Sequence, residues 1–392
     1  MKATTSHKMT KEEFSILKTT MKNMSDTYHE KKKNKAYYSE LPKYVGIKIT
    51  NACNLRCKHC YQWNETGYHR YIDENRQHDE LSLEIIEKIL KETENEKSRM
   101  YVWGGEPFVY KNFGKLLSLL KEYGRETSIC TNAILADRYV DELAGIEKLE
   151  LLVGLEGPEI IHDSIRGKGT FKKVFDSLDV ILEKKHKGIF KGKISVHTMV
   201  SDELRNCLYD YLCFLEKKGI DMVIICFPWF ISDRCKKEMD VYYKNNCAFL
   251  PQYSNSTRPS WYSFNYNFKE EYVDELIRQF EIINKRAWNM VIRYQPNLNS
   301  SQVRDFIAGN NVNMNRQCLA LAERIDINPD ATASACKFFD EFVMGSLKEQ
   351  TLTEIWNSEA YQEFRKLVSE KLMPVCSTCS VLHLHGMEGN YE

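Results

Sequence analysis

Neither sign of charge prevails in this sequence. Its 392 residues hold 55 Lys and Arg against 55 Asp and Glu, so it has no basic footprint of the kind nucleic acid or an anionic membrane surface selects. Long apolar runs are missing too. The longest, Met222 to Phe230, is far below the roughly 20 residues that span a bilayer as a helix. The N-terminus has no apolar h-region of a secretory signal. Thirteen cysteines are too few at this length for a secreted disulfide framework, and several sit in ligand spacing. The expectation is a cytoplasmic, reducing, oxygen-poor setting, with no nucleic acid and no membrane as partner.

The densest feature is Cys53-Asn54-Leu55-Arg56-Cys57-Lys58-His59-Cys60, a C-x3-C-x2-C run with no fourth cysteine nearby. Thiolates ligate iron–sulfur clusters, and close spacing lets one run wrap a cubane. With three cysteines one iron lacks a protein ligand, and an open metal position is where substrate chemistry occurs. Zinc usually takes paired C-x2-4-C units with a fourth ligand, so spacing favours a cluster while leaving zinc open.

From residue 44 onward apolar strands alternate with amphipathic helices. The strands are Tyr44–Thr50, Met100–Trp103, Thr127–Cys130, Leu149–Leu155, Lys193–Met199 and Met222–Phe227; the helices between them are Ser82–Thr93, Asn112–Tyr123, Arg138–Ala144, Phe171–Lys185 and Asp202–Lys218. This alternation predicts an α/β fold with a parallel sheet and helices outside. Functional groups of barrels built this way gather at the C-terminal strand ends. Residues 1–43 form a polar extension in which Thr10 and Glu13 make a capping box, and Phe14, Leu17, Met21 and Met24 recur at helical spacing. That helix packs on the barrel edge or serves as a flap. Residues 236–268 are irregular and aromatic-rich (Tyr242, Tyr243, Tyr253, Trp261, Tyr262, Phe264, Tyr266 and Phe268), suited to a substrate entrance or a packed connector. Lys269–Met290 reads as one long amphipathic helix and Gln295–Asn315 as a polar linker.

Polar motifs follow the strands. Trp103-Gly104-Gly105-Glu106-Pro107 combines glycines that let backbone approach a ligand with a carboxylate that accepts from an ammonium group. Thr131-Asn132-Ala133 follows the third strand. Gly154-Leu155-Glu156-Gly157-Pro158 follows the fourth, then Ile161-His162-Asp163 and Ile165-Arg166-Gly167. Arg166 can grip a carboxylate bidentately; His162 reads as structural. Cys226 closes the sixth strand, with Cys235 close behind. A thiol at a barrel mouth can donate a hydrogen atom to a substrate radical, and a buried thiol also serves as a small hydrophobe.

The C-terminal region adds Cys318, Cys336 and the pair Cys376-x2-Cys379. Arg324–Asn328 and Thr332–Cys336 flank a Pro329-Asp330 turn and read as a hairpin. Thr351 and Glu354 form a capping box that opens a helix through Lys371. Four thiolates suit zinc or a second iron–sulfur cluster, and spacing alone does not choose.

The C-x3-C-x2-C run with a ring, His59, before its third cysteine resembles the signature of the radical S-adenosylmethionine (radical SAM) superfamily. The glycine-rich Gly104–Pro107 element, Thr131-Asn132-Ala133 and the stretch from Gly154 to Gly167 resemble its supporting motifs, over about residues 44–230. The resemblance implies a partial (β/α)6 TIM-like barrel at 44–235, with Cys53, Cys57 and Cys60 holding a catalytic [4Fe–4S] cluster whose open iron is chelated by SAM. One electron then cleaves SAM to methionine and a 5′-deoxyadenosyl radical that takes a substrate hydrogen. It places His59 near adenine, Gly104, Gly105, Glu106 and Pro107 at the methionine part of SAM, and Arg166 at its carboxylate. Thr131, Asn132, Glu156 and Thr198 complete the cofactor contacts. Gly154, Glu156 and Ala133 stand where the family commonly has Ser, Asp and Gly.

Cys318, Ile327, Pro329, Asp330, Cys336, Gly345, Leu347, Leu352, Ile355, Trp356, Cys376 and Cys379 resemble the SPASM/twitch extension of these enzymes. Ala331 replaces a usual glycine, and His385 falls where a further cysteine would. The resemblance implies a small α+β twitch-like domain at 310–392, after a connector at 236–309. It would carry one auxiliary [4Fe–4S] cluster on Cys318, Cys336, Cys376 and Cys379, with electron transfer as its role. Relatives of this kind modify ribosomally made peptides by crosslinking, oxidation or epimerisation; others act on sugars or aminocyclitols. The implied partners are a peptide substrate and a flavodoxin- or ferredoxin-type reductant. A non-catalytic iron–sulfur protein is the reading from another class.

Overall fold

The computed structural model describes residues 2–251, 256–310 and 317–385. Six parallel strands form where the alternation predicts them: β1 (Tyr44–Lys48), β2 (Arg99–Trp103), β3 (Thr127–Thr131), β4 (Leu149–Gly154), β5 (Lys193–Met199) and β6 (Met222–Cys226). They pair in sequence order. Strand side chains alternate between faces. Val45, Ile47, Val102, Ile129, Leu151, Val153, Val196 and Val223 are fully buried in the core shared with the helices. Gly46, Lys48, Tyr101, Trp103, Cys130, Gly154, His197 and Cys226 take the opposite, concave face.

The sheet is larger than the sequence suggests. The expected helix over Lys269–Met290 ends at Asn284, and β7 (Val291–Gln295) pairs parallel with β6, from Met222 opposite Val291 to Cys226 opposite Gln295. Val291, Ile292 and Tyr294 are strand-favouring residues, and the Trp288 indole donates to Ile283 O (2.9 Å) where the chain turns. Gln295–Asn315 is not a plain linker, because Asn299 and Gln302 form a capping box that opens a helix at Ser300–Ile307. Within 236–268 the helix Asp233–Asn246, capped by Ser232, takes up the first part; Tyr253 lies outside the described residues.

At the other edge β8 (Arg324–Ile327) and β9 (Thr332–Ser334) make the expected hairpin, followed by β10 (Val343–Ser346). β8 pairs parallel with β1, Tyr44 opposite Arg324. One open ten-stranded sheet results, in the order β10-β9-β8-β1-β2-β3-β4-β5-β6-β7. Gly46 is required at this junction, because a Cβ there would strike the Arg324–Asp326 ion pair. The helix expected through Lys371 divides into Leu352–Trp356 and Glu359–Glu370, since Ser358 caps a second start.

The N-terminal helix runs from Lys11 to Lys33 with its capping box formed. Its expected apolar stripe is not a buried face: Phe14 and Met21 are 60% and 63% exposed. The buried positions are Thr27, Tyr28 and Lys31. Thr27 Oγ1 donates to Glu323 Oε1 (2.5 Å) and Lys31 Nζ to Ser369 Oγ (2.9 Å), so the helix straps the C-terminal region. No helix among the described residues is long and apolar enough to cross a membrane.

Candidate active site

The loop after β1 carries Cys53, Cys57 and Cys60. It is pinned from β2: Gly105 N donates to Thr50 O and Glu106 N to Ala52 O, each at 2.9 Å. A Cβ on Gly104 would lie 2.5 Å from Thr50 O, and one on Gly105 would strike Ala52 O. The paired glycines therefore serve the close approach of the cysteine loop. Cys60 N donates to Cys57 O (3.1 Å) and Leu55 N to Cys53 Sγ (3.4 Å). Burial pushes the Cys53 thiol up to about 12 and the Cys57 thiol up to about 11, and the neighbouring thiols add to both. Three thiols that oppose one another's ionisation become thiolates together when a cation is bound between them.

Glu106 is buried and accepts from Phe108 N (3.0 Å), Thr131 Oγ1 (2.6 Å) and Asn132 N (2.6 Å). It ties the end of β3 to the Pro107–Val109 turn. Asn132 Nδ2 reaches across to Asn54 Oδ1 in the cysteine loop (2.7 Å). Ala133, where the family has glycine, holds a left-handed φ of 60°.

Glu156 is fully buried at the end of β4. Its Oε1 accepts from Arg166 Nε (2.9 Å) and Nη2 (2.5 Å) and lies 3.0 Å from His59 Nε2; its Oε2 accepts from Met199 N (2.9 Å). Burial alone would raise its pKa, but His59 and Arg166 hold the carboxyl well below the usual range. Both departures from the family pattern have a local cause. Gly154 leaves room for the Arg166 guanidinium, which a Cβ would strike, and Glu156 is the residue that spans Arg166, His59 and the β5 backbone. His162 Nδ1 accepts from Glu156 N (3.3 Å), and Asp163 accepts from Gly169 N (2.5 Å) and Phe171 N (2.8 Å) at the start of the next helix. These two are structural, as expected for His162.

Cys318, Cys336, Cys376 and Cys379 line one cavity between the hairpin and the last helices. Burial pushes Cys379 up to about 12 and raises the other three. Among the described residues no three His, Cys, Asp or Glu side chains converge on a point suited to a single ion. Four thiols ringing a cavity instead suit a body of several atoms. The side chain of His385 lies outside the described residues.

Residues 47–208 match the family model of the radical SAM superfamily, and residues 318–380 that of the SPASM iron–sulfur cluster-binding domain. The chain carries a radical SAM domain followed by a SPASM domain. It is 26% identical over 363 residues to a serine-type anaerobic sulfatase-maturating enzyme of Bacteroides thetaiotaomicron, covering 87% of this chain and 81% of that protein. It is 22% identical over 352 residues to a tungsten-containing aldehyde ferredoxin oxidoreductase cofactor-modifying protein of Pyrococcus furiosus, covering 86% and 87%. Two solved structures share the fold. SuiB of Streptococcus suis bound to precursor peptide SuiA superposes with a TM-score of 0.57 at 15% identity, covering 88% of this chain and 71% of that one. Native anSMEcpe with bound AdoMet superposes with a TM-score of 0.55 at 17% identity, covering 82% of each. The two domains imply a SAM-binding catalytic [4Fe–4S] cluster and an auxiliary cluster.

Within the radical SAM domain, His59, Glu106, Thr131, Asn132, Glu156 and Arg166 come together around the cysteine loop. Thr198 does not. It is fully buried on the helix side of β5, next to Tyr211 of the helix Leu208–Lys218. The adjacent His197, opposite Gly154, takes the concave face, where Glu156, Arg166 and His59 act on it; the phase of strand alternation corrects the expectation by one residue. Cys226, opposite Met199, faces inward under the influence of Glu156 and Cys130. Cys235 sits on the helix Asp233–Asn246, where the charges acting on it are Glu238, Arg234 and Lys236 of that helix. Cys130 and Lys337 face the same interior; sequence reasoning did not single out Lys337.

Proposed function

We propose that this chain is a peptide maturase that takes a hydrogen atom from a ribosomally made peptide. The observation that carries this reading is an aromatic wall running from the cysteine loop to the SPASM domain. Tyr266 meets His59 edge-on at 5.8 Å, Phe264 stacks on Tyr61 at 4.6 Å and contacts Trp229 at 4.6 Å, and Trp229 meets Phe338 at 4.5 Å. The segment bearing Phe264 and Tyr266 is clamped on both sides: Asn265 Nδ2 donates to Thr66 Oγ1 (2.9 Å) and Ser260 N to Glu341 Oε1 (2.6 Å). Rigid aromatic surface gives a chain-like substrate large contact area at low entropic cost. The likeness to a sulfatase-maturating enzyme supports the same reading.

When bound, the cluster and SAM supply hydrogen-atom abstraction from carbon. Cys53, Cys57 and Cys60 hold that cluster, with His59 toward adenine. Glu106, with Gly104, Gly105 and Pro107 fixing its turn, would hold the methionine end. Arg166 contributes to the carboxylate contact while Glu156 orients it, and Thr131 and Asn132 hold Glu106 in place. Cys318, Cys336, Cys376 and Cys379 hold the auxiliary cluster. Cys226, a buried thiol on the concave face, would return a hydrogen atom to the substrate radical, the resulting thiyl being restored by one electron from the reductant and one proton; Cys235, on the helix Asp233–Asn246, is the weaker donor. A flavodoxin- or ferredoxin-type protein delivers the electron. Water exclusion falls to the aromatic wall.

The test is anaerobic turnover of SAM with and without the precursor peptide encoded beside the gene. The reading expects peptide to accelerate 5′-deoxyadenosine formation at least tenfold, and Tyr266→Ala and Phe264→Ala to raise the KM for peptide. SAM cleavage indifferent to peptide would sink it. That outcome would favour the reading supported by the Pyrococcus relative, a small-molecule substrate.

A further inference from the structure

Three cations stand around the four-cysteine cavity, two of them buried, and none has an ion pair with a carboxylate among the described residues. Lys31, 2% exposed, comes from the N-terminal helix and donates to two neutral acceptors, Lys35 O (3.0 Å) and Ser369 Oγ (2.9 Å). Arg365, fully buried behind the cavity wall, donates from Nε to Leu321 O (3.0 Å) and from Nη1 to Trp356 O (2.8 Å). Its Nη2 has no partner, and its guanidinium stacks on the rings of Tyr38, Trp356 and Tyr361. Lys337 lines the cavity beside Cys336. Its Nζ lies 4.1 Å from the Tyr101 ring and 4.8 Å from the Trp103 ring, with no hydrogen bond or ion pair among the described residues. Asp326, which lines the cavity, is paired with Arg324 at 2.6 Å, and Glu323 with Lys43 at 2.9 Å.

Buried charge without a counter-charge is costly, and two such groups, with a third cation lining the same cavity, call for an anion in it. A cubane ligated by four thiolates is that anion, because its thiolate charge outweighs that of its core, and one-electron reduction makes it more negative still. We propose that Lys31, Lys337 and Arg365 are the counter-charge of the auxiliary cluster and raise its reduction potential. This rests on Cys318, Cys336, Cys376 and Cys379 holding that cluster. Net charge and hydrogen bonding around a cluster are the protein's main means of setting its potential. The step concerned is transfer of one electron from a flavodoxin- or ferredoxin-type reductant to the cluster, with no proton moved and no bond broken. The N-terminal helix thereby becomes part of a redox site through Lys31.

The test is an EPR-monitored redox titration of anaerobically reconstituted full-length enzyme, with SAM added to mark the catalytic cluster. At the wild-type midpoint, the ratio of reduced to oxidised auxiliary cluster should fall at least tenfold in Lys31→Met/Lys337→Met, which for one electron is 59 mV. Lys31→Arg/Lys337→Arg should keep the wild-type midpoint. Failure of the Met form to load the cluster, with the Arg form loading, is the same result more strongly expressed. An unchanged midpoint in a loaded Met form, or failure of both forms to load, overturns the proposal. Iron content in Cys376→Ala/Cys379→Ala keeps the two claims apart: undiminished iron refutes the ligand reading, whereas lost iron with an immovable midpoint refutes only the counter-charge.

Discussion

Replacing Arg166 with Met removes two donors from a fully buried carboxylate. Glu156 then keeps the Met199 N–H at 2.9 Å and the nearby His59 ring, neither of which restores a guanidinium held at 2.5 and 2.9 Å. Breaking a buried ion pair by deleting one partner costs about 3–5 kcal/mol; the remaining contacts put Arg166→Met near the lower end, about 3 kcal/mol. With a denaturant slope of about 3 kcal/mol/M, the urea midpoint should move by about 1 M, read anaerobically by tryptophan fluorescence. The sign with pH follows from the carboxyl. In the wild type its pKa is held well below the usual range, so its contribution is present above the ordinary value of 4.5 and fades as pH falls through the folded value. Without Arg166 burial dominates, the pKa rises, and stability is lost as pH rises through it, so the deficit should shrink from pH 8 to pH 5. Glu156→Gln/Arg166→Met, which leaves no charge, should recover at least half of the loss. A double variant no more stable than Arg166→Met, or a deficit that does not vary with pH, would refute the ion-pair reasoning.

Ala133 and Ala331 hold φ of 60° and 69°, a conformation that costs a residue with a Cβ about 1–2 kcal/mol. Ala133→Gly and Ala331→Gly should therefore each stabilise the fold by up to about 1 kcal/mol, measured as an upward shift in the thermal midpoint. Glu13 joins the start of the N-terminal helix to β5. Burial opposes its ionisation, but hydrogen bonds from Lys193, Thr10 N and His7 bring its pKa down to about 2. Stability from this contact should be present above pH 4.5 and lost between pH 4.5 and 2, seen as faster proteolytic clipping near residue 10 that Glu13→Gln shows already at pH 7. Cys57→Ala should abolish 5′-deoxyadenosine formation while leaving auxiliary-cluster iron in place, measured by iron content and product assay.

The six central strands, two capping boxes and both cysteine sets are legible in the sequence because each is a local pattern: apolar runs bounded by turns, Thr-x-x-Glu, Cys-x2-Cys. Other features depend on the sheet as a whole. The strands β1 to β6 carry apolar residues on both faces, so their apolar content does not fix which residues point inward, and the choice between Thr198 and His197 is settled only by pairing with β4. β7 is hidden because Val291–Gln295 follows an amphipathic helix with a short gap and carries no turn signal of its own. Gly154 and Glu156 read as departures from a pattern; packing shows one making space for Arg166 and the other gripping it. Lys337 and Arg365 carry no sequence signal at all, since a cation without a carboxylate partner is recognised only when the neighbouring carboxylates have been traced to other partners.

The central claim is hydrogen-atom abstraction from a peptide at the cluster held by Cys53, Cys57 and Cys60. The most direct measurement supplies precursor peptide carrying deuterium on its side-chain carbons to the reduced, reconstituted enzyme with SAM, and follows deuterium by mass spectrometry. The account predicts deuterium in 5′-deoxyadenosine and a peptide whose mass or chirality has changed at the labelled residue. Abundant 5′-deoxyadenosine free of deuterium, from fully labelled peptide that emerges unaltered, would contradict it.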